Sequence, residues 1–253
     1  VVSDFTYPDD PLWGIGHTFV MDSVTGVITW DVPETPGGYA FSYIVEEWRE
    51  GRLLGNVRRD MLVYVIENCK ESGFDYAVVT DDQRIEDFIQ SINGNVVRID
   101  DDVPSGSERI CLAYERFYSD KNYDLIINVQ GDEPLLKAQT IQNIAKAHMQ
   151  TDFDIFTGLN ERSSNDSDFK NPNIVKCIYN AENKKCLYFS RESIPFSRDE
   201  KNHSWFHHIG IYSYRPSALI SFNKLEMSYH EKLEKLEQLR ALDNNLNIGA
   251  QVI

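Results

Sequence analysis

The chain lacks the features that define several classes of protein. It has no apolar run of about 18 residues, so the sequence predicts no membrane span. It opens with neither a signal peptide nor a Met, which indicates a fragment or a processed product. Acidic residues outnumber basic ones by 40 to 25, giving a net charge of -15. This excess excludes bulk affinity for nucleic acid or anionic membrane, so an anionic substrate would need local Arg or Lys groups or a metal.

Cysteine is also scarce, with four in 253 residues and no CxxC spacing. No His stands at a zinc-finger distance from any of them, so the sequence does not predict a zinc site. Cys177 and Cys186 could face each other across a hairpin. Buried free thiols in a reducing compartment are the favoured interpretation, which predicts a cytoplasmic protein.

The first quarter of the chain has the pattern of an all-β segment. Residues 27–30 follow a Thr-Gly turn signal, and residues 39–45 alternate between the two faces of a strand. Residues 57–66 can return as a further strand, so residues 1–67 are predicted to form a β-sandwich-like domain. Residues 61–70 are ambiguous, because their apolar positions also fit one face of a helix.

After this segment, predicted strands and helices alternate, which indicates an α/β domain over residues 68–253 with a largely parallel sheet. The predicted strands cover residues 76–79, 96–99, 125–129 and 208–214, with a hairpin formed by 175–179 and 187–190. The predicted helices cover residues 83–92, 108–118, 140–148 and 229–242.

The stretch DLIINVQGDEP, residues 124–134, carries the strongest chemical signal. A buried strand ends abruptly in Gln130, Gly131 and Asp132, and ligands of open α/β sheets sit at the carboxyl ends of strands. A carboxylate in that position is a natural ligand for Mg²⁺. The alternative is that Asp132 forms the acidic tip of a polar turn.

A second candidate site opens the helix predicted after Ser105. Ser105, Gly106 and Arg109 lie at or next to its N-terminus, where backbone N–H groups bind anions and polar ligands. The alternative is a capped helix start without a ligand, since Glu108 stands three residues after Ser105.

Five segments together resemble 3-deoxy-manno-octulosonate (Kdo) cytidylyltransferase, also called CMP-Kdo synthetase, over about residues 70–253. They are VVTDD (78–82), SGSER (105–109), NVQGDEP (128–134), YFSRESIPFSRD (188–199) with HIGIYSYR (208–215), and EKLEQLRAL (234–242). The resemblance implies a nucleotide-sugar transferase-like (Rossmann-like) mixed sheet with flanking helices. It also implies Mg²⁺-dependent coupling of CTP to Kdo for lipopolysaccharide biosynthesis, release of pyrophosphate, and a homodimer.

The resemblance assigns roles to individual residues. The loop with Ser105, Gly106 and Arg109 would read cytosine, and Asp132 would bind the metal as a catalytic residue. Six positions match the Kdo pocket: Gln130, Arg191, His208, Tyr212, Glu237 and Gln238. Arg191, also predicted as catalytic, suits the sugar's carboxylate because guanidinium binds carboxylates bidentately.

Several of these assignments have structural alternatives. His208 could be a hydrogen-bonded strand histidine, and Glu237 could lie on a solvated helix face. Lys176 could reach the site or be an exposed strand lysine.

Residues 1–67 resemble the immunoglobulin- or cadherin-like modules of Bacteroidetes surface proteins, in the pattern G-x-x-T-W, P-G-x-Y, V-x-E-W-R-x-G and R-D-M. They lack the Arg- and Lys-rich PARxxSxRxPGK loop with which the cytidylyltransferases grip the triphosphate. The chain also stops at Ile253, before a second metal-binding Asp motif. These departures predict weak or absent catalysis and an open slot where the family's first strand would lie.

Other interpretations remain beside the main one. A gene fusion and a joining artefact would both explain the composite sequence. The chain could instead be an exported surface interaction module with a non-catalytic passenger. The acceptor could also be an 8-amino Kdo analogue or a sialic acid.

Overall fold

The structure is a computed structural model that describes residues 19–21, 28–30, 43–49, 52–59, 62–103, 105–131, 133, 136–198 and 203–253. Contacts divide the chain into two units, Val1–Phe41 and Ser42–Ile253. In the first unit, strands β1 (Phe19–Met21) and β2 (Ile28–Trp30) pair antiparallel. The β-sandwich and the predicted boundary after residue 67 stay predictions.

The second unit begins with an antiparallel hairpin and a helix. The hairpin consists of β3 (Tyr43–Arg49) and β4 (Arg52–Arg59), and α1 (Leu62–Glu71) follows. The helical alternative for residues 61–70 is therefore confirmed, and a strand that continues to Ile66 is wrong. Val65 and Ile66 are both buried, so α1 contributes an apolar face to the core.

Two separate sheets carry the rest of this unit. Strands β5 (Val78–Thr80) and β6 (Val96–Arg98) pair in parallel. A six-stranded sheet has the order β7-β11-β8-β12-β10-β9. Its strands are β7 (Ile126–Val129), β8 (Ile155–Ser163), β9 (Lys176–Asn180), β10 (Lys185–Ser190), β11 (Ser204–Tyr214) and β12 (Ile248–Val252).

The expectation of a largely parallel sheet is wrong. Within the six-stranded sheet only β8 and β12 pair in parallel, and every other described pair is antiparallel. One cause is the hairpin from β9 to β10, which needs no crossover helix. A second is that β11 runs antiparallel to β7, β8 and β9, with which it pairs. The mixed sheet implied by the resemblance is confirmed.

Six further helices pack on these sheets. They are α2 (Gln83–Ser91), α3 (Gly106–Phe117), α4 (Ala138–Met149), α5 (Pro216–Asn223), α6 (Tyr229–Glu234) and α7 (Gln238–Asp243). Helix α3 spans both sheets, because Cys111 and Tyr114 join the core of the large sheet while Ala113 packs in the core beside β5 and β6. Its first turn is thereby fixed near the carboxyl ends of the strands.

The single helix predicted over residues 229–242 is wrong. The chain forms α6 and α7 instead, separated at Lys235, which has a left-handed backbone with φ of 54°. Its N–H closes α6 by donating to Glu231 O at 2.8 Å. This break changes the direction of the chain, so that the side chains of Glu237, Gln238 and Leu239 all point toward the interior.

Candidate active site

Strand β11 forms the floor of the candidate site. His208 and Tyr212 have ring centroids 5.2 Å apart, and Tyr212 and Tyr214 stack at 6.1 Å. All three side chains are buried, with no more than 8% of each residue exposed. The alternation of a strand places them on one side, as the motif HIGIYSYR indicates.

His208 is a neutral hydrogen-bonding group at physiological pH. Burial, reinforced by the neighbouring His207, lowers the pKa of His208 to about 3. Its Nε2 lies 3.0 Å from Thr157 Oγ1, whose single proton is used at 2.7 Å by Ile211 O. The hydroxyl therefore accepts from Nε2–H, which leaves Nδ1 as the acceptor nitrogen. The alternative in which His208 is a hydrogen-bonded histidine of a strand therefore fits the structure. A histidine bonded in this way can still line a polar pocket.

The turn after β7 lies against β11 at a glycine. Glu133 N donates to Gln130 O at 3.1 Å, and Glu133 Oε1 accepts from Gly210 N at 3.0 Å. A Cβ at Gly210 would stand 2.8 Å from both Gln130 Oε1 and Glu133 Oε1. A Cβ at position 210 would therefore displace the ends of these two side chains, and with glycine there Gln130 lies beside the strand that carries His208 and Tyr212. Asp132, the predicted metal ligand, lies outside the described residues.

The first turn of α3 forms one wall of the site. Ser105 Oγ caps the helix by accepting from Glu108 N at 3.3 Å. Gly106 has open space around its Cα. Arg109 donates to Ile99 O and pairs with Asp81 at 2.6 Å, so it ties the helix to the ends of β5 and β6. The capped-helix interpretation is thus correct in its geometry, and it leaves the exposed Gly106 open for a ligand.

Glu237 joins this wall to α7. Its carboxylate accepts hydrogen bonds from Ser105 Oγ and Ser107 Oγ, both at 2.9 Å. Burial raises the pKa of Glu237, while the two hydroxyls and Arg240 act in the opposite direction. The solvated-face alternative for Glu237 is therefore wrong, because the break at Lys235 turns this residue inward. Gln238 is also buried, with 6% of its surface exposed.

Arg191 lies at the other side, in the segment after β10. Its guanidinium donates to the carbonyls of Glu234 at 2.8 Å, Pro172 at 3.0 Å and Lys235 at 3.4 Å. These bonds use three of its five N–H donors, so one donor remains on each terminal nitrogen. These two remaining donors are available to an anionic group such as a carboxylate.

Lys176 supports the main chain at Arg191. It is fully buried, and its Nζ donates to Asn171 O at 2.7 Å and to Arg191 O at 2.8 Å. Burial lowers the pKa of Lys176. The exposed-lysine alternative is wrong, and the contacts show a lysine that orders the Arg191 segment.

Sequence reasoning missed four residues that build the site: Ser107, Glu133, Tyr214 and Arg240. Ser107 and Tyr214 stand inside SGSER and HIGIYSYR, so their membership of those motifs was the available signal. Arg240 binds Glu231 at 2.7 Å and Glu108 at 3.2 Å. Glu108 is 132 positions from Arg240 in the sequence, so no local pattern reveals this second contact.

Comparison with known proteins shows the family to which the chain belongs. A family profile described as cytidylyltransferase matches residues 53–248. The chain belongs to the cytidylyltransferase family. The match includes β4, α1 and every element named above that contributes to the site, so the site residues all lie within a cytidylyltransferase domain.

Relatives and a solved structure agree with this assignment. The 3-deoxy-manno-octulosonate cytidylyltransferase of Thermodesulfovibrio yellowstonii is 37% identical over 75% of this chain and 78% of its own. That of Francisella tularensis subsp. novicida is 38% identical over 76% and 79%. The structure of a CMP:2-keto-3-deoxy-manno-octonic acid synthetase complexed with CTP aligns with a TM-score of 0.70 at 28% identity, covering 76% of this chain and 78% of that one.

Among the residues that the structure describes, no cluster of three His, Cys, Asp or Glu side chains forms a metal site. No helix in the described part is long and apolar enough to cross a membrane.

Proposed function

We propose that this chain is a Kdo cytidylyltransferase, which joins CTP and Kdo to give CMP-Kdo and pyrophosphate for lipopolysaccharide biosynthesis. The observation that carries the proposal is the set of contacts around Glu237, which precedes α7: its carboxylate bonds Ser105 and Ser107 of the first turn of α3, and Ser107 contacts Tyr214 of β11. These elements lie in a domain 37% identical to a Kdo cytidylyltransferase. In the reaction, the anomeric oxygen of Kdo forms a bond to the α-phosphorus of CTP. The bond from that phosphorus to the bridging oxygen of pyrophosphate breaks, and the hydroxyl proton passes to solvent.

The protein's contribution to such a transfer is positioning and charge complementarity. Ser105, Gly106 and Arg109 would hold the nucleotide at the start of α3, as the motif implies. Arg191 would hold the Kdo carboxylate with its two remaining donors. His208 and Tyr212 would offer neutral hydrogen-bonding groups to the sugar hydroxyls.

Mg²⁺ is proposed as the cofactor, with Asp132 as its ligand. Carboxylate oxygens are the ligands that Mg²⁺ prefers. In the sequence, Asp132 lies between Gln130 and Glu133, whose side chains both reach Gly210 of β11. A bound Mg²⁺ would neutralise charge on the phosphates and orient them.

Location and assembly are further proposals. The four cysteines are free thiols, and burial raises the pKa of Cys177, which suits the reducing cytoplasm. The homodimer implied by the resemblance is checked by light scattering after size-exclusion chromatography. A molar mass near 29.2 kDa would contradict it.

The comparisons favour this enzyme over an exported surface module. The acceptor is tested by incubating the chain with CTP, Mg²⁺ and, separately, Kdo, its 8-amino analogue or a sialic acid. We expect mass spectrometry to detect CMP-Kdo as the main product. A CMP adduct of another acid formed in preference to CMP-Kdo would overturn the assignment of the acceptor.

A further inference from the structure

The Glu237 carboxylate stands where the two proposed subsites meet. It precedes α7, which carries the sugar-side residue Gln238, yet both its oxygens are held by the first turn of α3 on the nucleotide side. Ser105 Oγ donates to Oε1 and Ser107 Oγ donates to Oε2, each at 2.9 Å. The position of Glu237 therefore depends on hydroxyl groups that belong to another element.

The two serines differ in what else they can do. Ser105 is partly exposed, caps α3 and belongs to the loop proposed to read cytosine. Ser107 is buried, with 4% of its surface exposed, and it faces inward to Glu237 and Tyr214. A nucleotide that bonds the Ser105 hydroxyl would compete with Glu237 for it, whereas Ser107 is too deeply buried to be reached.

The hydrogen-bond directions link Ser107 to the floor of the site. An ionised carboxylate can only accept hydrogen bonds, so Ser107 donates its single hydroxyl proton to Glu237. The Ser107 oxygen then accepts a hydrogen bond from the Tyr214 O–H at 3.5 Å. Tyr214 stacks on Tyr212, which contacts His208. Ser107 is thus the one described side chain that bonds both Glu237 and a ring of β11.

We propose that Ser107 is a positioning residue, which holds Glu237 in place for the sugar acid while Ser105 engages the nucleotide. The expected effect on the affinity for the sugar acid rests on the proposed function. The hydrogen bond from Ser107 to Glu237 does not. It makes the affinity for the sugar acid depend on Ser107 most strongly when nucleotide is bound.

The charged and titratable groups that face Glu237 come from three elements. Arg240 of α7 lies 3.7 Å from Oε1, Glu231 belongs to α6, and Tyr214 belongs to β11. Hydrogen bonds from Ser105 and Ser107 favour the ionised carboxyl, and burial opposes it. Loss of the Ser107 hydroxyl must therefore raise the pKa of Glu237 further.

The direct test is the Glu237 pKa, measured by NMR on protein labelled at the glutamate carboxyl carbon, with the resonance assigned by Glu237→Gln. We expect Ser107→Ala to raise this pKa by about one to two pH units, the equivalent of one hydrogen bond to a charge. Ser107→Thr keeps a hydroxyl and should restore the original value. Ser119→Ala, which removes an exposed hydroxyl at the end of α3, is the matched control and should change nothing.

The second measurement is calorimetric titration with Kdo in the presence of Mg²⁺, with and without CTP supplied as its α,β-methylene analogue, which carries the same base and phosphate charges but cannot release pyrophosphate. We expect Ser107→Ala to weaken Kdo binding about tenfold with CTP present and less without it, because Ser105 then still holds Glu237. Equal Kdo affinities for Ser107→Ala and the unchanged chain would overturn the inference, as would an unmoved Glu237 pKa. If the unchanged chain binds no Kdo, the proposed function fails, and a raised pKa in Ser107→Ala still supports the hold on Glu237.

Discussion

At the scale of single residues, the site depends on buried polar groups whose partners are all present. Arg240 shows this most clearly: its side chain is 4% exposed and that of Glu231 is 6% exposed. Two hydrogen bonds join them, at 2.7 and 2.9 Å. Such a pair contributes little net stability compared with apolar residues of the same volume, but removing one partner leaves a buried charge uncompensated.

We therefore expect Arg240→Ala to lower the free energy of unfolding by about 3–5 kcal/mol in urea denaturation. The control is Arg116→Ala, which removes an ion pair with Asp101 in which the two side chains are 46% and 38% exposed. The control should cost at most about 1 kcal/mol, because exposed ion pairs are screened by water. Equal losses for the two variants would contradict the buried role of Arg240.

His208 makes stability depend on pH. Its pKa is about 3 in the folded chain and about 6.5 unfolded, so between these values the unfolded state binds the extra proton. Stability is therefore lost as pH falls below about 6.5, with a slope of about 1.4 kcal/mol per pH unit from this residue. The raised pKa of Glu237 acts in the opposite direction at lower pH.

The measurement is thermal unfolding between pH 4.5 and 7.5 for the unchanged chain and for His208→Gln, which retains a side-chain donor but does not titrate. We expect a shallower dependence on pH in the variant. Parallel curves for the two proteins would show that His208 is not the buried neutral group described here.

At the scale of elements, the turn between α6 and α7 decides where Glu237 lies. Lys235 is left-handed at the end of α6, a conformation in which glycine avoids the steric cost of a Cβ. Lys235→Gly should therefore be neutral or raise the free energy of unfolding by up to about 1 kcal/mol. Its matched control, Lys224→Gly, changes a lysine that ends α5 with a right-handed backbone.

The control should be neutral or destabilising, since glycine there adds only unfolded-state entropy. Urea unfolding of both variants checks the prediction. Destabilisation by Lys235→Gly larger than that by Lys224→Gly would contradict the described turn.

The elements also show what a sequence can and cannot predict. The start of α3 was predictable because Ser105 and Glu108 form a local cap. The break in the last helix was not, since Lys235 carries no turn signature and residues 229–242 keep a helical pattern across it. The inward position of Glu237 follows from Ser105 and Ser107, about 130 residues earlier, so the motif gave its identity and only the fold gave its partners.

The sheet gives a second example at this scale. Among the described residues, β5 pairs only with β6 and β7 pairs only with β11. Tyr123, before β7, donates to Asp75, before β5, at 2.8 Å, so the two strands begin near each other without pairing. The open slot expected beside these strands stays a prediction. We expect Val79 and Ile127 amides to exchange faster by hydrogen-exchange mass spectrometry than the amides of β8, and equal protection would contradict it.

At the scale of the whole molecule, a cytidylyltransferase domain follows an N-terminal segment whose sequence differs from the pattern that the resemblance implies. The resemblance implies an Arg- and Lys-rich loop that would grip the triphosphate, residues 1–69 contain no such sequence, and the chain has a net charge of -15. Binding of a polyanionic nucleotide then depends on a metal and on few cations. We therefore expect slow turnover that needs millimolar CTP.

Pyrophosphate release from CTP with Kdo and Mg²⁺ tests the central claim most directly, by comparing the unchanged chain with Asp132→Ala. The account predicts slow release that requires Kdo, is accompanied by CMP-Kdo, and is lost in Asp132→Ala. No release from either protein, or release that is independent of Kdo or unaffected in the variant, would contradict cytidylyl transfer at this site. Rapid release at micromolar CTP would confirm the reaction but contradict the expected weakness of the triphosphate grip.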